Sequence, residues 1–329
     1  MTRFQKLATG ALISVLVLMF VGAVVRVTGA GMGCPDWPTC WGCLIPPTKV
    51  EQVDFSKLPI EKFQRKAERM GRDPKTITRE SLREEFNPRY VWTEFLNRMT
   101  SLPVGFFSVA MFIAGFWQRS KRPLVFWMAF ASLITVLVNA WMGARVVYSG
   151  LASGDITLHL ALAMSLLGML AYCAWRGTDN PWRVAMNGAS LARLRMLVTV
   201  LLLVVVAEGI LGSQVREMTD HLAKIHGNAA RETWALELEG SWKYLVHRSF
   251  SWVVLGLTCS AWLMARRHRV GGTGRVEKVV LGIVLSQMIL GVVMAQVHIY
   301  SWVQVLHVGL AAILLTFIWL WRFGLSREA

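Results

Sequence analysis

Apolar runs long enough to cross a bilayer recur along this chain and constrain its fold more than any other feature. Eight are read, at about residues 8–28, 95–117, 123–143, 156–175, 195–214, 245–265, 277–297 and 302–321. A spanning helix needs about twenty mostly apolar residues. The mean hydropathy of +0.45 over 329 residues agrees with burial in lipid on that scale. Open sheets are excluded, because backbone groups in hydrocarbon must satisfy one another within the segment. The expected fold class is an all-α integral membrane protein with eight transmembrane helices.

Charge placement settles the class of partner. The net charge of +15 would suit nucleic acid, but the cations alternate with the runs. Arg3, Lys6, Arg119, Lys121, Arg122, Arg176, Arg183, Arg193 and Arg195 fall on one side, as do Arg266, Arg267, Arg269, Arg275, Lys278, Arg322 and Arg327. This positive-inside pattern predicts a multi-pass protein of the inner (plasma) membrane with both termini cytoplasmic. The partner is the lipid bilayer, with no nucleic acid. The length of the first run, and its lack of a small-x-small cleavage site, favour a retained helix over a signal peptide.

Between the first two runs lies a polar segment. It opens with GCPDWPTCWGC at residues 33–43, three cysteines on the oxidising side. A disulfide is expected there. Cys34 with Cys40 is one pairing, brought together by Pro35 and Pro38, and Cys40 with Cys43 is the other. Helical spacing over 57–70, with Leu58, Phe63, Ala67 and Met70 apolar, and a capping box at residues 81–84 predict short helices in a lid. A solvated loop is the alternative. Cys173 and Cys259 read as packing residues. The loop at 217–243 reads as external, with His221 and His226 solvated.

Polar residues recur at matched places in the runs. NAWMG at 139–143 aligns with QMILG at 287–291 at an offset of 148, which His159 and His307 share. Asn97 and His247 are 150 apart, each followed by arginine. GAVVR at 22–26 matches GSQVR at 212–216 at 190. The expectation is a four-helix unit repeated twice in parallel. Its divisions are a first helix (1–29), a lid (30–93), the rest of the first half (94–176), a linker (177–194) and a second half (195–329).

The second-half pair carries the chemistry. His247, in YLVHR at 244–248, and His307, in QVLH at 304–307, open their helices on one face at one depth. Two facing imidazoles in a helix bundle can hold haem iron from both sides. Gly209, Gly212, Gly282 and Gly291 would leave room for a flat macrocycle, or simply serve helix packing. Arg216 and Arg248 are expected to pair with the propionates. The first half keeps His159 but has Asn97 for its partner, so it should hold a haem weakly, through one imidazole or none, with an open iron face. That suits a transient substrate. Glu94, three residues before Asn97, shares its helix face and could act as a base or stabilise positive charge. Arg26 could hold an anion or snorkel to the interface. Glu208, a carboxylate inside the fifth run, is a functional candidate or a protonated packing residue. His268 is not expected to take part, and His298, at the outer end of the seventh run, is a weak candidate only.

Together, GCPDWPTC at 33–40, EFLNR at 94–98, and His159, His247 and His307 in eight helices resemble the heme A synthase family over essentially the whole chain. The resemblance implies an oxidoreductase that converts the C8 methyl of heme O to the formyl of heme A, for cytochrome oxidase assembly. It implies haem b as cofactor on His247 and His307, substrate haem iron on His159, Glu94 as the essential acidic residue, and a Cys34–Cys40 disulfide. Substrate contacts are expected from Asn97, Arg98, Arg26 and Arg145. Expected partners are heme O, heme O synthase, oxidase assembly proteins and a second copy of the chain. The chain departs from the family's usual pattern in having Asn97 where histidine stands, and in lacking a second cysteine pair in the third external loop. The competing reading is a membrane b-type cytochrome that exchanges electrons with quinone. A transporter and a non-catalytic haem-holding assembly factor are the other classes considered.

Overall fold

The structure is a computed structural model, and it describes residues 1–69, 71–226 and 234–326. Met70 and Arg327, expected in the lid and among the one-sided cations, lie outside those residues. The described chain is helical, with only two isolated backbone bridges, Cys40 with Cys43 and Met186 with Arg269. The long helices are α1 (Arg3–Val27), α4 (Pro88–Gly115), α5 (Pro123–Tyr148), α6 (Ser153–Arg176), α7 (Gly188–His226), α9 (Trp242–His268), α10 (Arg275–Gln296) and α11 (Ser301–Gly324). Short helices α2 (Ile60–Arg69) and α3 (Arg79–Glu85) build the lid, and α8 (Ala235–Glu239) precedes α9. Among the described residues, seven helices are long and apolar enough to cross a membrane: α1, α4 with the turn after it, α5, α6, α7, α10 and α11. The helix α9 is as long as these but falls outside the seven. Arg248, Ser249, Ser251 and Ser260 dilute its apolar run.

Helix ends follow local chemistry. Thr2 and Gln5 form a reciprocal capping box at α1, and Asn87 accepts from the amides of Arg89 and Tyr90 ahead of Pro88 at α4. Both devices satisfy amides that the first helical turn leaves without carbonyls. In the lid, the expected capping box at residues 81–84 starts three residues earlier. Thr78 is the cap, and Ser81 returns the hydrogen bond.

The long helices pack as two closed circuits. In one, α1 and α5 each contact both α4 and α6; in the other, α7 and α10 each contact both α9 and α11. The circuits meet where α1 and α6 touch α11 and where α6 touches α7. The core lies on that seam: Ala8 and Ala11, Leu167 and Leu170, Leu194 and Leu201, and Ile318 and Trp321 are almost fully buried. Phe20 of α1 lies over Gly309, where a Cβ would come within 2.1 Å of its ring. Outward faces carry exposed Phe106, Trp141, Leu203 and Trp252. Water would penalise such surface, whereas lipid accepts it.

Two segments are more ordered than expected. The linker folds against helix ends, with Val184 N–H donating to Gly324 O at 2.8 Å and Val270 N–H to Ala185 O at 3.1 Å. Its helical continuation begins at Gly188, not near 195. The helix α7 has 39 residues. It is therefore about 58 Å long, nearly twice the roughly 30 Å of hydrocarbon, and its last turns continue as a helical post where a loop was expected. His226 stands on that post, stacked on Trp234 and with Nε2 3.1 Å from Glu237, so it is not simply solvated.

The lid is an ordered layer around Trp41, as its apolar spacing predicts. Phe55, Phe63 and Phe86 surround the indole at ring-centroid distances of 6.1, 6.4 and 5.4 Å, and its N–H donates to Gly33 O at 2.8 Å. Gly33 itself lies against α4, where a Cβ would come within 2.2 Å of Tyr90 O. A backbone atom on the first turn of a helix has little room to yield. Gly33→Ala is expected to lift the loop off α4 and speed tryptic cleavage within 44–86 several-fold. An unchanged digestion pattern would show that this contact does not hold the lid.

Candidate functional site

The junction of lid and α4 is built from Glu94 and Arg98, one helical turn apart. Glu94 is 4% exposed. Its Oε2 accepts from the Cys34 amide at 2.7 Å, and its Oε1 pairs with Arg98 at 2.7 Å. Arg98 also donates to the carbonyls of Cys34, Asp36 and Thr39, at 2.9–3.0 Å. Cys34 and Cys40 are disulfide-bonded and Cys43 is free. Asp36 turns the loop, accepting from Thr39 Oγ1 and from the amides of Trp41 and Gly42. A buried carboxylate and guanidinium thus clamp the disulfide loop. Arg98, expected at the substrate, is directed at the loop instead.

Asn97 and His159 sit on α4 and α6, helices that do not adjoin within their circuit. His247 and His307 sit likewise on α9 and α11. The His247 and His307 ring centroids are 6.5 Å apart, with planes at 82°. Imidazole–metal bonds of about 2 Å on both sides of one iron would set centroids roughly 6 Å apart, so the pair fits a shared metalloporphyrin. Among the described residues, no three His, Cys, Asp or Glu side chains gather to hold a bare metal ion. A porphyrin brings four nitrogens of its own and needs only two from the protein.

Matched polar atoms line both circuits. Asn97 Oδ1, Asn139 Oδ1 and His159 Nδ1 in the first are buried without a hydrogen-bond partner in the protein, as are Gln287 Oε1 and His307 Nδ1 in the second. Buried polar atoms in native proteins are nearly always satisfied, so these atoms have capacity to bond a ligand or water. A Cβ added at Gly22 would lie 3.9 Å from Asn97 Oδ1, and one at Gly212 would lie 3.1 Å from His247 Cε1. A third glycine, Gly143, faces His159 Cε1 at 3.5 Å. Gln287 donates to His307 O at 2.7 Å, fixing the mouth of α11 against α10.

The cations show where an anion could sit. Arg216 pairs with Asp220 at 2.7 Å, and Arg26 approaches the same carboxylate at 3.5 Å, tying α1 to α7. Arg145 pairs with Asp155 at 2.9 Å, and Arg248 is exposed. The sequence reading missed Asp220, which its presumed loop concealed. It also missed the approach of Glu208 Oε2 to His247 Nδ1, 2.7 Å apart though off the hydrogen-bond line. A cleft of about 560 Å³ opens on the lid between Trp41, Lys66, Arg69 and Tyr148, away from the histidines.

The molecule is therefore a multi-pass helical membrane protein with paired polar sites in its helix mouths. The profile of the cytochrome oxidase assembly protein family COX15-CtaA matches residues 5–319. Relatives named heme A synthase include that of Sphingopyxis alaskensis, 27% identical over 91% of this chain and 85% of its own. The one from Beijerinckia indica is 23% identical over 92% and 87%, and the one from Ehrlichia ruminantium strain Welgevonden is 28% identical over 50% and 45%. The chain belongs to this family of cytochrome oxidase assembly proteins.

Lys66 offers a probe of the lid. It is 8% exposed. Burial holds its ammonium down at about 8, against a partial opposing pull from Glu94. Between about pH 8 and the ordinary lysine value, the unfolded lid binds more protons than the folded one. Lid stability should therefore rise with pH across that window and be lowest below it. Lys66→Met is expected to remove this slope and raise the exchange protection of α2 at pH 7. The same pH dependence in wild type and variant would exclude a buried charge.

Proposed function

We propose that the chain is a heme A synthase, converting the C8 methyl of heme O to the formyl of heme A for cytochrome oxidase assembly. Support comes from the family and from relatives of that name that align along most of the chain. The observation that carries the site assignment is the facing of His247 and His307, with ring centroids 6.5 Å apart. In this reading eight helices cross the inner membrane as two parallel four-helix halves, α9 included, with both termini cytoplasmic. The divisions are those expected from the repeat: a first helix, a lid, the rest of the first half, a linker and a second half. The two circuits support the halves, and Gly22 beside Asn97 repeats Gly212 beside His247.

His247 and His307 hold haem b, which supplies a one-electron redox centre when bound. Arg248 and Arg216 face its propionates. The substrate binds in the first half, where His159 is the one imidazole available to its iron and Asn97 presents an amide oxygen. Methyl to formyl is a four-electron oxidation that adds one oxygen atom, so the site must accept protons and tolerate positive charge. Glu94 is the carboxylate next to Asn97 along α4. Its hydrogen bonds to the Cys34 amide and Arg98 fix its position, so it stabilises charge at the substrate edge and closes the lid over it. Arg26 and Arg145 lie towards the lid end and screen substrate carboxylates, with Asp220 and Asp155 as their resting partners.

The test is genetic and chemical. A strain lacking the protein should accumulate heme O and lose heme A, and the wild-type chain should restore it. Glu94→Gln, which removes charge but little volume, is expected to lower heme A by tenfold or more while haem b content stays near wild type. Full heme A from that variant would remove Glu94 from the reaction, and heme A in the deletion strain would overturn the function.

A further inference from the structure

Two buried carboxylates have no part in this reaction: Glu277, which is paired with Arg269, and Glu208. Glu208 lies on α7, with its side chain 11% exposed, and its Oε2 is 2.7 Å from His247 Nδ1 on α9. Its other oxygen is buried without a partner in the protein. One turn along α7 stands Gly212, where a Cβ would come within 3.1 Å of His247 Cε1. One helix therefore supplies the imidazole with a carboxylate at Nδ1 and with space at the adjoining carbon. That leaves Nε2 as the nitrogen free to bind metal.

The internal repeat provides a comparison within the same molecule. The offset of 190 that pairs Gly212 with Gly22 and Arg216 with Arg26 pairs Glu208 with Leu18. In the first circuit Gly22 faces Asn97, the counterpart of His247, so the correspondence holds in space as well as in sequence. The carboxylate is present where the facing residue is histidine and absent where it is asparagine. An amide has no ring tautomer to select, whereas an imidazole does. Helix packing alone gives no reason for this difference, since leucine fills the corresponding place.

We propose that Glu208 is a positioning residue for His247. With the ring turned to bring Nδ1–H into line, its carboxylate accepts that proton in a hydrogen bond, holds the tautomer with Nε2 as the donor atom, and raises the basicity of the imidazole. Carboxylate support of this kind is the usual outer partner of a metal-bound histidine. A more basic ligand favours ferric over ferrous iron, so Glu208 keeps the redox potential of this haem low. The proposal rests on the assignment of haem to His247 and His307.

The test is a redox titration of the purified holoprotein with low-temperature electron paramagnetic resonance, on Glu208→Gln, Glu208→Asp, Glu208→Leu and His247→Ala. Glu208→Gln is expected to keep the haem and raise its potential. Each tenfold loss of ferric over ferrous preference reads as about 59 mV for one electron. The low-spin ferric signal should shift as the ring plane is released. Glu208→Asp, which keeps the charge, should fall between Gln and wild type. Glu208→Leu should raise the potential at least as far as Gln, and if it fails to accumulate, the near-isosteric Gln variant decides. Wild-type potential and spectrum in Glu208→Gln, with the haem lost in His247→Ala, would overturn the role of Glu208 alone. Haem retained in His247→Ala would overturn the ligand assignment and this proposal with it.

Discussion

Hydrocarbon leaves a backbone nowhere to hydrogen-bond except to itself, and this structure follows from that requirement. Each crossing must be a helix, and each helix interior is closed to chemistry at the backbone. Polar function is confined to side chains near helix mouths, where water, lid and ligand can reach. Asn97, His159, His247 and His307 all lie within the first half of a long helix. Two circuits of four helices then place Asn97 and His159, and His247 and His307, on helices that do not adjoin, so each pair addresses the space between neighbours. The seam carries the packing and the circuit interiors carry the polar atoms.

The lid is coupled to this arrangement through a single turn of α4. Glu94 and Arg98 are an ordinary helical ion pair by spacing, worth little on a surface. Buried and shared with the Cys34 amide and three loop carbonyls, they become the joint between the disulfide loop and the first circuit. Removing either partner would leave a buried charge unmatched, a far larger penalty than the loss of an exposed pair. The residue expected to act on substrate is thus also the residue that seats the lid. A change in the loop would be felt at Glu94 without any direct contact with substrate.

Much of this was legible in the sequence because it is local. Apolar runs report helices, and a histidine at the mouth of a run reports its own place along the helix. The lid core at Leu58, Phe63 and Ala67 followed from helical spacing. What escaped depends on partners distant in the chain or on helix ends. No periodicity announces that α7 continues through residues 217–226, since that stretch is polar on most sides and is supported by packing of Leu222 and Met218 with Trp234 and Tyr244. Asp220 was hidden with it. Glu208 was visible as an intramembrane carboxylate, but its neighbour His247 lies on the next long helix and could only be identified in three dimensions. Arg98 is expected at the substrate because an arginine beside a ligand position invites that role, and the loop carbonyls it bonds are far away in sequence.

The central claim is that two facing imidazoles of the second circuit hold a haem while the first circuit receives a related one as substrate. Extraction and mass analysis of the haems in the purified protein, with its absorption spectrum, tests it most directly. The account predicts haem b in every preparation, with a bis-imidazole low-spin spectrum, accompanied by heme O or its oxidised derivatives. Protein expressed with ample haem supply and purified without any haem would contradict it, and haem b alone, even with heme O supplied, would remove the substrate site from the first circuit.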